Sequence, residues 1–212
     1  MGKTSQGVDG QIVNRVGNHV FRVVKGQNII SIYQPNVANP QTQLQQQNRQ
    51  KFSLLSKFFG ECAPIVEAGF VSKTGKGSGY NRAVSVNFAN GITGTYPNYA
   101  MNYSALKFSE GKVDLPYSPS ASLDNSNLTI GWTDNSDTAT YAHPEDPLAL
   151  VVYNSSKEQV VYVLNAAKRR DTTFVYNCPS TWNGDDIEVY VFFRDEKGEN
   201  ASKSAYMGHF SL

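Results

Sequence analysis

Charge is scarce in this chain, and so are the residues that build most reactive centres. Only 17% of the 212 residues are charged, the formal net charge is +1, and there are two cysteines, three histidines and three methionines. So small a net charge argues against the basic stripe of a general nucleic-acid binder. The one compact basic run, Lys168-Arg169-Arg170, reads as a turn before a strand. Cys62 and Cys178 lie far apart, with neither disulfide-framework nor metal-ligand spacing, and read as free thiols of a reducing compartment. No apolar run reaches membrane-spanning length, and the opening MGKTSQGVDG lacks the apolar segment of a secretory signal. Gly2 would begin a myristoylation signal, but Gln6 stands where Ser or Thr is needed. The expectation is a soluble protein with no membrane partner and no nucleic-acid partner.

Motifs of catalysis are equally thin. Gly75-Lys76-Gly77-Ser78-Gly79 lacks the spacing of a phosphate loop, and Gly2-Lys3-Thr4 has no loop before it. His19, His143 and His209 are isolated, with no second metal-ligating residue at helical or hairpin spacing. No G-x-S-x-G nucleophile elbow occurs. Acidic pairs remain at Asp134/Asp137, Glu145/Asp146, Asp185/Asp186 and Asp195/Glu196. None follows the spaced pattern of a calcium loop, and they read first as solvated turns, with a loop calcium site or a glycosidase-type carboxylate pair as sharper alternatives. The reading is of a non-enzyme with no catalytic residues, no metal, no cofactor and no small-molecule substrate.

What the chain does have is aromatic residues, 12 Tyr and 11 Phe, which fit a β-rich, aromatic-packed protein. Residues 7–34 hold three short apolar runs (Ile12 to Val16, Val20 to Val24, Ile29 to Tyr33) separated by Gly17-Asn18 and Lys25-Gly26-Gln27-Asn28, which predicts a three-stranded meander. Such a meander is too small to stand alone. The stretch Asn36–Phe70 reads as helix, with Asn39 as N-cap and Pro40 at the first helical position. Leu44, Phe52, Leu55, Phe59 and Cys62 form its apolar stripe, widened by Leu54 and Phe58, and Pro64 either kinks it or starts a short second helix ending near Gly69. Its first half is amide-rich, and Gln43, Gln46, Gln47 and Gln50 are candidate subunit-contact residues, against the plainer reading of a solvated face. A glycine-rich loop at Ser72–Gly79, a helix over Tyr80–Asn90 ended by Gly91, a turn at Gly94–Asn98 and a strand over Tyr99–Phe108 follow.

From about Leu115 the texture changes. Strands are expected at Leu123, Leu128–Thr133, Leu148–Asn154, Val160–Asn165, Thr172–Cys178, Ile187–Arg194 and Ser202–Phe210, divided by Asp, Asn and Gly turns. Seven short strands in about a hundred residues is the pattern of an immunoglobulin- or fibronectin-like sandwich, with Trp132 as core anchor. The fold class is therefore mainly β (α+β): an N-terminal β-meander plus two helices over 1–114, then a sandwich over 115–212. Trp182, in the loop Ser180–Asp186, is either an exposed aromatic anchor for a partner or a plug for the end of the sandwich.

Several stretches taken together resemble a domain-of-unknown-function family of small proteins from Bacteroidota genomes and their mobile elements. They include Gly17-Asn18, Thr42-x-x-Gln45, Arg49, Lys51-Phe52, Gly69-Phe70, and Asn90-Gly91-Ile92-Thr93-Gly94-Thr95-Tyr96-Pro97. Trp132, Val151-Val152-Tyr153-Asn154, Val189-Tyr190 and Ser204-x-Tyr206-x-Gly208 continue the likeness into the sandwich. The front of the helix is richer in glutamine than the family pattern. The resemblance implies no activity; it implies a phage-type structural component. The expectation is a non-enzymatic bacteriophage virion protein (tail or neck ring, head–tail connector or capsid decoration) made in the host cytoplasm. Its partners would be copies of itself or other virion proteins. The alternative is a cytoplasmic binding module that uses the sandwich loops Asp134–Asp146 and Ser180–Asp186.

Overall fold

The computed structural model describes residues 2–4, 13–24, 26–71 and 77–212. Ile12 and Lys25 of the expected meander, and Ser72–Lys76 of the glycine-rich loop, lie outside the described residues. The chain divides into two compact units, Met1–Thr42 and Gln43–Leu212.

The N-terminal unit is an antiparallel sheet of β1 (Gly2–Thr4), β2 (Asn14–Val16), β3 (His19–Val24) and β4 (Gln27–Ile32), in the order β1-β4-β3-β2. Strands β2 to β4 are the predicted meander, and β1 is a fourth strand that apolar periodicity did not reveal. Gly17, at φ +58°, makes the β2–β3 turn, where a side chain would be strained. Residues opposite each other in an antiparallel pair share a face. The register therefore puts Val16, Phe21, Val23, Ile30 and Ile32, with His19 and Asn28, on one face. Arg15, Val20, Arg22, Ile29 and Ser31 lie on the other, where the Arg15 guanidinium stacks 3.5 Å over the Tyr33 ring.

The second unit begins with α1 (Gln43–Glu61), α2 (Ala63–Gly69) and α3 (Gly79–Asn87). The helix expected from Asn39 starts later, because Gln41 sits at φ +48° and cannot continue a right-handed helix. Of the two readings of Pro64, the structure takes the second: Pro64 occupies the first turn of α2, where an absent N–H costs nothing. Ser78 caps α3 by accepting from Asn81 N at 3.2 Å. Glu67 of α2 accepts from the next two free amides, Gly79 N at 2.8 Å and Tyr80 N at 3.1 Å. The hairpin of β5 (Ile92–Thr95) and β6 (Asn98–Met101) follows. The strand expected over Tyr99–Phe108 ends at Met101, since Tyr103–Ala105 turns as a short 3-10 helix.

The seven expected sandwich strands are all present: β7 (Tyr117–Asp124), β8 (Asn127–Thr133), β9 (Leu148–Asn154), β10 (Gln159–Val163), β11 (Thr173–Asn177), β12 (Asp186–Phe193) and β13 (Ala205–Ser211). They form two antiparallel sheets, β11-β8-β7 and β10-β9-β12-β13, with the non-consecutive pairs β8/β11 and β9/β12 of a Greek-key sandwich. Trp132 is buried between the sheets, edge-on to Phe193 at 5.4 Å, as expected of a core anchor.

Strands β9 and β12 are buried on both faces. Leu148, Leu150, Val152, Ile187, Val189, Val191 and Phe193 point into the sandwich, while Ala149, Val151, Tyr153, Tyr190 and Phe192 point the opposite way, into a second core with the helices. That core is aromatic: Phe58 meets Tyr153 at 4.8 Å and Phe59 at 5.1 Å, and Phe108 meets Tyr190 at 4.6 Å. The four-stranded sheet is thus the middle of three layers. The boundary expected at 114/115 does not coincide with the division at Thr42/Gln43, because the helices share their core with the sandwich sheet.

Candidate functional surfaces

Of the candidate contact residues on α1, Gln43 is exposed and Gln46, Gln47 and Gln50 are half-buried. Two of them are engaged within the chain. Gln46 Oε1 accepts from Tyr96 Oη at 3.0 Å, and Gln50 Nε2 donates to the Pro97 carbonyl. The amide face therefore holds the tip of the β5–β6 hairpin, with Lys51 Nζ 5.0 Å above the Tyr99 ring beside it. Leu44 and Phe52, assigned to the apolar stripe, are 66% and 55% exposed. Burial begins at Leu55, so the helix overruns the core it packs on.

Trp182 is a plug and not an exposed anchor. It is 3% exposed, belongs to the core between the sheets, and donates through Nε1 to Gln159 Oε1 at 3.2 Å. The 3-10 turn Ser180–Trp182 turns the indole inward. Lys157 ties this end down through an ion pair with Asp185 at 2.6 Å, and Asn154 Nδ2 donates to the same carboxylate at 2.7 Å. These two partners hold the Asp185 carboxyl below its ordinary range.

The opposite loops contain a site that the sequence reading passed over. Lys168-Arg169-Arg170 does turn, but its members part company. Lys168 and Arg170 pair with Glu145, whose carboxyl they hold low, while Arg169 points inward and is fully buried. Its Nη1 donates to Asn135 Oδ1 at 2.7 Å, and its Nη2 to the Asp114 carbonyl at 2.8 Å and to Asp146 Oδ2 at 3.2 Å. Phe193 lies under the guanidinium at 4.7 Å, and Trp132 Nε1 donates to the Arg169 carbonyl at 2.7 Å. Burial pushes the Asp146 carboxyl up, against the lowering pull of the His143 amide and of Arg169. The signal was present as charge complementarity between the acidic pair Glu145-Asp146 and the basic run Lys168-Arg169-Arg170.

Two further carboxylates, Asp195 and Glu188, also act as ties. Asp195 is pushed up by burial, but donors from Asn200 and from the Glu199 and Gly198 amides more than offset this and leave it low. Glu188, buried on β12, accepts from Tyr206 Oη at 2.7 Å and lies 3.0 Å from His209 Nδ1. His209, isolated in sequence, thus bonds across the β12–β13 pair. Burial pushes the Cys62 thiol up to about 12 and also raises Cys178. Both cysteines are buried and free, so neither is poised as a nucleophile. Among the described residues no group of three or more His, Cys, Asp or Glu is placed to hold a metal ion, and no helix is long and apolar enough to cross a membrane.

Fold and surfaces together define an immunoglobulin-like sandwich with a helical layer on its larger sheet. The chain belongs to a family described as "Family of unknown function (DUF6266)", whose model matches residues 8–208. No curated protein matches the chain.

Proposed function

We propose that this protein is a non-enzymatic structural component of a bacteriophage virion, a ring, connector or decoration layer, assembled through contacts between its own copies. The observation that carries this reading is the N-terminal sheet. Its register gathers Val16, Phe21, Val23, Ile30 and Ile32 on one face, where Val16 is 63% and Ile32 75% exposed and Phe21, Val23 and Ile30 are half-buried. Among the described residues, the two buried cores of the second unit are built from residues from Gln43 onward. A single-layer sheet of this size needs its apolar face covered, and an exposed face of this kind is what an assembly arm presents.

The occupant is a second copy. Among the described residues this face carries no Asp, Glu, Lys or Arg, so like faces meet without burying charge, whereas the reverse face, with Arg15 and Arg22, repels its own kind. A small patch gives a weak contact per copy, which a closed ring makes strong by repetition. The exposed Gln43 and the half-buried Gln47 on α1, beside the two glutamines used internally, are the second proposed contact. The virion is the proposed location.

The test of this reading is mass spectrometry of phage particles purified from a host that carries the gene. The chain is expected as a stoichiometric particle component. Its absence from particles, while it is expressed in the same cells, overturns the reading.

A further inference from the structure

The sandwich loops enclose a cavity of about 310 Å³ beside the Arg169 cluster, lined among others by Lys112, Tyr141, His143, Asp146, Asp195 and Asn200. This volume sits at the small end of the range for small-molecule sites, about 300–1,000 Å³. Two features separate it from an ordinary surface depression. First, Asp146 has a side chain 1% exposed, and its Oδ1 has no hydrogen-bond partner, while Oδ2 serves Arg169 and the His143 amide. A buried carboxylate oxygen without a donor is costly unless something supplies one. Second, Tyr141 at the rim is 55% exposed and offers a flat aromatic face.

Both walls are held rigid. Asp114 Oδ2 accepts from Tyr141 N at 2.9 Å, and the His143 carbonyl accepts from Asp146 N at 3.0 Å. Across the cavity, Asp195 accepts from Glu199 N and from Asn200 Nδ2, both at 2.6 Å. With the Gly198 and Asn200 amides as further donors, the Asp195 carboxylate is satisfied by its own loop and forms a wall of the cavity.

The charges decide the ligand class. An anion would face Asp146 and Asp195. A cation would face Lys112, with Arg169 behind Asp146. A neutral molecule that both donates and accepts meets both signs of charge: a hydroxyl donates to Asp146 Oδ1 and accepts from Lys112 Nζ, while its apolar edge lies on Tyr141. We infer that this cavity binds a neutral sugar, one ring deep, independently of whether the protein is a virion component.

The test is a titration of the full-length, isotope-labelled protein, followed by amide NMR, with methyl glucoside, methyl galactoside, methyl mannoside and N-acetylglucosamine. Sodium sulfate and guanidinium chloride serve as the charged probes. Saturable shifts with at least one sugar, centred on residues 141–146 and 195–200, are expected. Tyr141→Leu and Asn200→Ala should weaken that binding about tenfold each, with the rest of the spectrum unchanged. Tyr141 is exposed and Asn200 half-buried, so both variants should fold, and either one alone decides the point. No saturable shift with any of the four sugars overturns the inference. So does sugar binding that both variants leave intact, and so does saturation by sulfate or guanidinium instead.

Discussion

Replacing Arg169 with Met tests whether the buried cluster holds the loop end of the sandwich. The substitution keeps a long side chain but removes three donor contacts: 2.7 Å to Asn135 Oδ1, 2.8 Å to the Asp114 carbonyl and 3.2 Å to Asp146 Oδ2. Arg169, Asn135 and Asp146 are at most 3% exposed, so these contacts are lost in a buried setting. Removing one partner of a buried pair costs about 3–5 kcal/mol, because the other is left charged and unpaired. That is a large part of a total stability of about 5–15 kcal/mol. With a urea slope of about 2 kcal/mol per molar, the unfolding midpoint should fall by about 2 M. A second substitution, Asp146→Leu, on top of the first should recover part of the loss, giving a coupling of about 2 kcal/mol between the two positions. A midpoint shift in the single variant below about 0.5 M, or simple additivity in the cycle, would refute the reasoning.

The three-layer arrangement predicts that residues 43–212 fold cooperatively by themselves, whereas residues 115–212 alone aggregate, because the latter expose Ala149, Val151, Tyr153, Tyr190 and Phe192. Size-exclusion chromatography and near-UV circular dichroism distinguish the two outcomes. Gly69→Ala should lower stability by at least about 2 kcal/mol in thermal melts, since a Cβ there would sit 2.2 Å from the Phe108 carbonyl oxygen, a backbone atom that cannot step aside. Asp195, with its carboxyl held low by its loop donors, contributes stability that is present above the ordinary aspartate value of about 3.9 and lost as pH falls through its lower native value. Asp195→Asn should therefore flatten the acid limb of a stability–pH profile without changing its alkaline limb.

The sandwich was legible because each strand carries its own apolar run and its own turn residues. Leu148–Asn154 and Ile187–Phe193 held more than their assignment as strands. Both are nearly continuous apolar runs, and in an antiparallel sheet that means a layer on each side, not one face turned to water. Read that way, the two strands announce the helical layer and move the boundary away from residue 114. The start of α1 was misplaced because the left-handed turn at Gln41 leaves no mark in residue type, while Asn39-Pro40 imitates a helix start. The glutamines were set apart from the apolar stripe, but a sequence cannot tell an amide aimed at a neighbouring molecule from one aimed at Tyr96 and Pro97. Trp182 stayed open between anchor and plug, and the inward side chain of Arg169 went unread, for one reason: burial in loops is set by tertiary packing, to which neither periodicity nor spacing is sensitive.

The central claim is assembly through the apolar face of the N-terminal sheet, and native mass spectrometry over a concentration series tests it most directly. The full-length protein is expected to form a closed oligomer, and Ile32→Asp or Val16→Asp should return it to monomer without loss of fold. A monomer at every concentration, or an oligomer indifferent to both substitutions, would contradict the claim.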